Sequence, residues 1–181
     1  MSRWKPASRA RLQAAALDLF LEHGYSNTTT AAIAERAGVT DRTFYRHFTD
    51  KSEVLFGDEA RIEQLLVAAV EASTAATADA LLEALHALAR DFQPRRAELV
   101  RRATVVASVP DLAERELWKL RTWSQALART IVERGEDEFT ARVQVEVALA
   151  LFRSAYYRWT QETDPPSLDD LIQHAHAAAG L

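Results

Sequence analysis

Between residues 29 and 51 the sequence gathers Thr29, Thr30, Thr40, Arg42, Thr43, Tyr45, Arg46, His47 and Lys51. These side chains share one chemistry, which is hydrogen bonding to the acceptors of a polyanion. Arg can bond guanine bidentately, Thr can meet a base edge or a thymine methyl, and Tyr and His can reach phosphate oxygens. An ammonium at the first position of a helix, as expected for Lys51, can hold a phosphate together with the helix N-terminus. Double-stranded DNA is the partner this set fits. Catalytic groupings are poor by contrast. There is no cysteine, hence no disulfide framework and no thiolate for a metal or a nucleophile. His174 and His176 are two apart, so on a helix they point in different directions and make a poor metal pair. The sequence holds no Gly-rich phosphate loop, H-E-x-x-H or G-x-S-x-G. No catalytic residue, metal or cofactor is expected.

The elements that must position the cationic set lie in residues 28–51, TTTAAIAERAGVTDRTFYRHFTDK. A Thr29 or Thr30 hydroxyl can cap a short helix whose Ile33, Ala34 and Ala37 share a face. Gly38 follows as a left-handed stop. Val39 plugs the turn, and Thr40 caps a second helix over 41–47 that turns Phe44 and Phe48 inward. Two helices joined this tightly, the second with a polar outer face, make a helix-turn-helix. Asp41 is the departure, since a carboxylate at the head of that helix repels phosphate unless it caps the helix or accepts from a cytosine amino group. Residues 8–23 form a supporting helix with Leu12, Ala15, Ala16, Leu19 and Phe20 on one stripe. Arg9 and Arg11 near its start are either DNA-backbone contacts or solvated charge. Ahead of it, Arg3, Trp4 and Lys5 sit in a short arm of the kind that can lie in a groove.

Charge divides along the chain. Residues 1–51 hold eight Lys/Arg against five Asp/Glu, a balance of +3, and residues 52–181 hold fourteen against twenty-one, a balance of −7. A basic head on an acidic body is what a protein needs when only one end meets phosphate. The expected division is therefore a DNA-binding domain over 1–51 and a helical domain over 52–181. Asp50 and Glu53 open a helix expected to run from 51 to 72 and to link the two. Further helices are expected over 77–92, 95–106, 111–134, 139–162 and 168–178, separated by Pro94, Pro110, Pro165-Pro166 and the acidic turn at 135–138. The fold class is all-α, with about nine helices in total. No 18-residue apolar run and no signal-like start is present, which fits a cytoplasmic protein away from membranes.

The run over 12–56 resembles the DNA-binding domain of the tetracycline-repressor (TetR) family. The resemblance rests on A-x-x-L-F-x-x-x-G-Y at 16–25, T-x-x-x-I-A-E-R-A-G-V at 29–39 and T-F-Y-R-H-F-x-x-K at 43–51. It implies a dimeric regulator, usually a repressor, whose last two helices pair with those of a second subunit and whose body holds a small-molecule cavity. Two stripes on the 139–162 helix suit such pairing. Val145, Leu149, Phe152, Tyr156 and Trp159 form one, and Val143, Val147, Ala150, Ser154 and Tyr157 form the other. A central helix in a larger monomeric core would show the same pattern. For an apolar or aromatic effector the candidates are Phe92, Arg102, Trp123, Phe152 and Tyr156, with Gln125 as an alternative polar contact. Plain core packing is the competing reading of each. The alternative function is a helical adaptor, or a regulator with no effector control.

Overall fold

Gly24 and Gly38 take the left-handed region in the first part of the chain, at φ +81° and +64°, and each ends a helix. The computed structural model describes residues 8–180, so the arm with Arg3, Trp4 and Lys5 lies outside them. Among the described residues the secondary structure is ten α-helices and one short 3-10 turn. Helices α1 (Ser8–His23), α2 (Thr30–Arg36) and α3 (Asp41–His47) come first. Thr29 caps α2 by accepting from the Ala32 N–H at 3.1 Å. Thr40 caps α3 in the same way, accepting from Thr43 N–H at 3.3 Å.

The expected helix over 51–72 is broken in two, α4 (Glu53–Phe56) and α5 (Glu59–Ala72). Gly57 stands at the break, with an ordinary right-handed backbone (φ −64°). A Cβ at Gly57 would meet the Arg9 guanidinium, and would stand 3.1 Å from both Phe48 Cε1 and the Glu53 carbonyl. Arg9 donates to the Gly57 carbonyl, an acceptor an unbroken helix would have kept. The capping box that opens α4 is also displaced. Asp50 accepts from the N–H groups of Ser52 (2.7 Å) and Glu53 (2.9 Å), but Glu53 returns its carboxylate to Thr49 N–H rather than to Asp50.

The remaining helices are α6 (Thr77–Phe92), α7 (Arg96–Ala107), α8 (Pro110–Glu133), α9 (Glu138–Gln161) and α10 (Leu168–Ala178). Pro110 starts α8, where its missing N–H costs nothing. Asp137 caps α9 through the Phe139 and Thr140 N–H groups, and Ser167 caps α10 through Asp170 N–H.

The chain forms two compact units, and their division differs from the expected break at 51/52. The head takes residues up to 58 together with 101–114, and the body takes 59–100 and 115–181. The head's core is Leu12, Ala16, Phe20, Ile33, Phe44 and Phe48, joined by Val54, Leu55 and Phe56 and then by Val105, Val106 and Leu112. Those last three explain the regrouping: their burial in the head draws the end of α7 and the start of α8 into it. Each such aliphatic side chain contributes about 1.5–3 kcal/mol when fully buried. The body's core layers α5, α6, α9 and α10 through Leu66, Leu85, Leu88, Val145, Phe152, Trp159 and Ile172.

Candidate functional site

In the head, α3 buries Phe44 and presents Asp41, Arg42, Tyr45 and Arg46 to solvent. Neither Arg42 nor Arg46 makes a hydrogen bond or ion pair among the described residues, so both guanidiniums keep their full donor sets for a ligand. Tyr45 is anchored differently. Its hydroxyl meets Thr30 Oγ1 at 3.0 Å, which joins the outer faces of α2 and α3. Thr43 pairs its hydroxyl with that of Thr40 at 3.1 Å. Thr29 and Thr40 are the helix caps, so one lone pair of each hydroxyl already serves the backbone.

His47 is half-buried and its Nε2 lies 2.6 Å from Ser8 Oγ. Burial lowers its pKa, and the nearby charges of Arg46 and Arg9 lower it further. The imidazole is therefore neutral at pH 7, and it locks the end of α3 to the start of α1.

Lys51 departs most from its expected role. Its ammonium donates to the carbonyls of Tyr25 at 2.7 Å and Thr28 at 3.0 Å, reaches that of Ser26 at 3.5 Å, and sits 4.3 Å over the Tyr25 ring. Here Lys51 is a clamp on the loop between α1 and α2 rather than a free phosphate donor. Arg9 is likewise engaged, on the Gly57 carbonyl and over the Phe48 ring at 4.9 Å. Head contacts not anticipated from the sequence include the Arg101–Asp18 and Arg36–Glu22 ion pairs and the Ser8–His47 bond.

The body holds a row of rings. Trp123 and Phe152 have centroids 6.4 Å apart, Phe152 and Tyr156 5.6 Å, and Tyr156 and Trp159 6.0 Å. Phe92 lies beside the row, 6.2 Å from Phe152 and 6.0 Å from Tyr156. Four of the five expected effector residues thus come together. Arg102 falls in the head unit, where it donates to the Leu55 carbonyl at 2.7 Å and stacks 4.8 Å over Phe56. Gln125 stands apart from the row. It lines an open trough of about 690 Å³ between α8 and α9, with Arg121, Arg129, Glu138, Arg142 and Glu146 around it. On α9, the stripe of Val143, Val147, Ala150, Ser154 and Tyr157 points away from the body core. Phe139 (76% exposed) and Tyr157 (69%) stand at its ends.

Comparison with known proteins decides what this arrangement belongs to. Residues 12–56 match the family model of bacterial regulatory proteins of the tetR family, and residues 75–179 match that of the MftR C-terminal domain. The second match alone spans more than half of the chain. The protein belongs to the TetR family.

TetR-family relatives cover most of its length. The HTH-type transcriptional regulator TcmR of Streptomyces glaucescens is 31% identical over 169 residues, spanning 87% of this chain and 75% of TcmR. MftR of Mycobacterium tuberculosis, named for mycofactocin biosynthesis regulation, is 26% identical, spanning 91% of this chain and 85% of MftR. A TetR-family regulator structure from Syntrophomonas wolfei shares the fold, with a TM-score of 0.66 at 18% identity, over 96% of this chain and 93% of that one. TetR-family members are transcriptional regulators rather than enzymes, and DNA binding through the head is their common property. Among the described residues no helix is long and apolar enough to cross a membrane. None of their His, Asp and Glu side chains form a group of three or more placed to hold a metal ion.

Proposed function

We propose that this TetR regulator is a homodimeric repressor that binds a pseudo-palindromic operator and leaves it when a small apolar effector enters the body. The observation that carries the reading is the outer face of α3, where Arg42 and Arg46 are exposed one helical turn apart with no partner among the described residues. In a major groove that pair can take guanine O6 and N7 and a flanking phosphate. Tyr45 and Thr30, bonded to each other, suit phosphates at the groove edge, and the capping hydroxyls of Thr29 and Thr40 suit the same strand. With Lys51 engaged on carbonyls, the phosphate-contacting set shrinks to these four, together with Arg42, Thr43, Arg46 and the rim of His47.

A dimer is supported by the outward stripe of α9. Val143, Val147, Ala150, Ser154 and Tyr157 repeat at four- and three-residue steps, the spacing of a helix packed on two sides. Twofold pairing would make the contact self-complementary and place two α3 helices about 34–36 Å apart, one duplex turn. An effector can shift the DNA-bound population only by the difference in its affinity for the two conformers. The ring row of Trp123, Phe152, Tyr156 and Phe92 is the site for it, in a protein of the cytoplasm.

Selection of genomic fragments by the purified protein, followed by gel shifts on the enriched site, tests the reading. Retarded complexes containing two protomers per site are expected, weakening steeply with salt. Failure to retain any fragment at low ionic strength removes the DNA-binding half of the proposal. A monomer in sedimentation removes the twofold half.

A further inference from the structure

Two buried donors in the body have no acceptor among the described residues. The indole Nε1 atoms of Trp123 and Trp159 are buried and make no hydrogen bond, and their residues are 2% and 0% exposed. Buried polar groups in folded proteins are almost always paired. An unpaired one retains its desolvation cost. These two stand at opposite ends of one row, Trp123–Phe152–Tyr156–Trp159. A purely structural row would be served as well by Phe at either end.

A cation accompanies one of them. Lys119 lies one helical turn before Trp123 on α8, with its ammonium 4.8 Å over the indole ring and its side chain only 10% exposed. Glu116, three residues earlier on the same helix, is one of its ion-pair partners. An ammonium carries three donors, so a ligand oxyanion can join those partners without displacing them.

We infer that the Trp123 end of the ring row binds an apolar ligand that carries a carboxylate, the oxyanion accepting from Trp123 Nε1–H and pairing with Lys119. The inference rests on the effector reading above and adds the ligand's chemical class. The apolar body lies along Phe152, Tyr156 and Phe92, whose tilted rings offer faces and edges to aromatic and aliphatic groups alike. A neutral hydrocarbon would leave the indole N–H unsatisfied, and a cation would meet Lys119. Specificity for an acid over its hydrocarbon follows.

The test uses the whole protein with three probes: 2-naphthoate, decanoate and naphthalene. The readout is the indole N–H resonances in a nitrogen–proton correlation spectrum, assigned with Trp118→Phe, Trp123→Phe and Trp159→Phe. At least one carboxylate should move the Trp123 resonance downfield, while naphthalene leaves it in place. Which carboxylate binds tells an aromatic body from an acyl one. Trp123→Phe and Lys119→Met should each weaken that carboxylate about tenfold, the loss of one hydrogen-bonded contact. Gel shifts on the selected operator are run in parallel, so loss of DNA binding is read separately from loss of ligand binding. A Trp123 resonance that neither carboxylate moves at saturation overturns the inference. So does one showing contact with a bound water in the free protein, and equal affinity for naphthalene and naphthoate does the same.

Discussion

Replacing Lys51 by Met keeps the aliphatic stem over the Tyr25 ring and removes the ammonium. In the structure that ammonium gives two well-formed bonds, to the carbonyls of Tyr25 at 2.7 Å and Thr28 at 3.0 Å. Hydrogen bonds from a charged donor are worth about 1.5–3 kcal/mol each. Lys51 is only half-buried, so water can re-solvate part of what is lost. A net cost of about 2 kcal/mol is the central expectation, which for a head of this size lowers the unfolding midpoint by about 10 °C. The second half of the expectation concerns salt. A lysine on phosphate contributes roughly one unit to the slope of log affinity against log salt. Lys51 held on carbonyls contributes nothing, so the slope of Lys51→Met should equal that of the parent, with affinity restored once the head is kept folded by lower temperature. Thermal unfolding followed by circular dichroism and a salt series of operator titrations read the two halves. A slope smaller by one unit per subunit with an unchanged midpoint would refute the clamp and return Lys51 to the phosphate.

Four further outcomes follow. Arg42→Ala and Arg46→Ala should each cost roughly 1–3 kcal/mol in operator affinity with no change in midpoint, since neither side chain holds the fold; competition with mutated operators shows which of the two reads a base. Head stability should fall as pH drops below about 6.5. Because His47 has a lowered native pKa, the unfolded state binds the extra proton first, and stability is lost as pH falls through that native value. His47→Gln should flatten the dependence, and an unchanged slope between pH 7.5 and 5.5 counts against the neutral His47–Ser8 contact. Gly57→Ala should destabilise by about 1–3 kcal/mol through overpacking against Arg9, Phe48 and the Glu53 carbonyl; a gain of midpoint, as expected for relieving a helical glycine, contradicts the close approach. Val143→Arg on α9 should yield monomers in sedimentation and lose cooperative operator binding, and a dimer that survives it places the twofold contact elsewhere.

What could be read before the structure follows from which signals are local. A cap, a left-handed glycine and an inward pair of aromatics are decided within a few residues, so Thr29, Thr40, Gly38, Phe44 and Phe48 take the places the spacing predicts. The α9 periodicity likewise told which residues would be buried: Val145, Leu149, Phe152 and Trp159 all are. Periodicity says that a face is covered without saying by what. Val105, Val106 and Leu112 read as apolar positions of a body helix, yet they complete the core of the head. Arg102 shows the same limit: its neighbours on the chain suggested the body, yet it groups with the head, where it meets Leu55 and Phe56 some 46 residues away in sequence. The close approach at Gly57 was invisible because the side chain that makes it, Arg9, comes from α1.

The engagement of Lys51 and Arg102 on backbone carbonyls carries a general point about basic residues in this protein. The balance of +3 over residues 1–51 made Lys51 a candidate phosphate contact and left Arg9 and Arg11 open between DNA backbone and solvated charge. Several instead satisfy backbone carbonyls: Lys51 those of Tyr25 and Thr28, Arg9 that of Gly57, and Arg102 that of Leu55. Each of those carbonyls belongs to a loop or to the ends of a short helix, where the chain has acceptors with no partner in the helix ladder. A head built from helices as short as seven residues has many such ends and few backbone donors to meet them, so long cationic side chains take over the task. Arg11 is half-buried with its Nε unpaired, which leaves Arg42 and Arg46 as the exposed head cations with no bond to the fold among the described residues. In a cationic head, the groups free to read a sequence are the ones the fold does not already employ, and here both sit on α3.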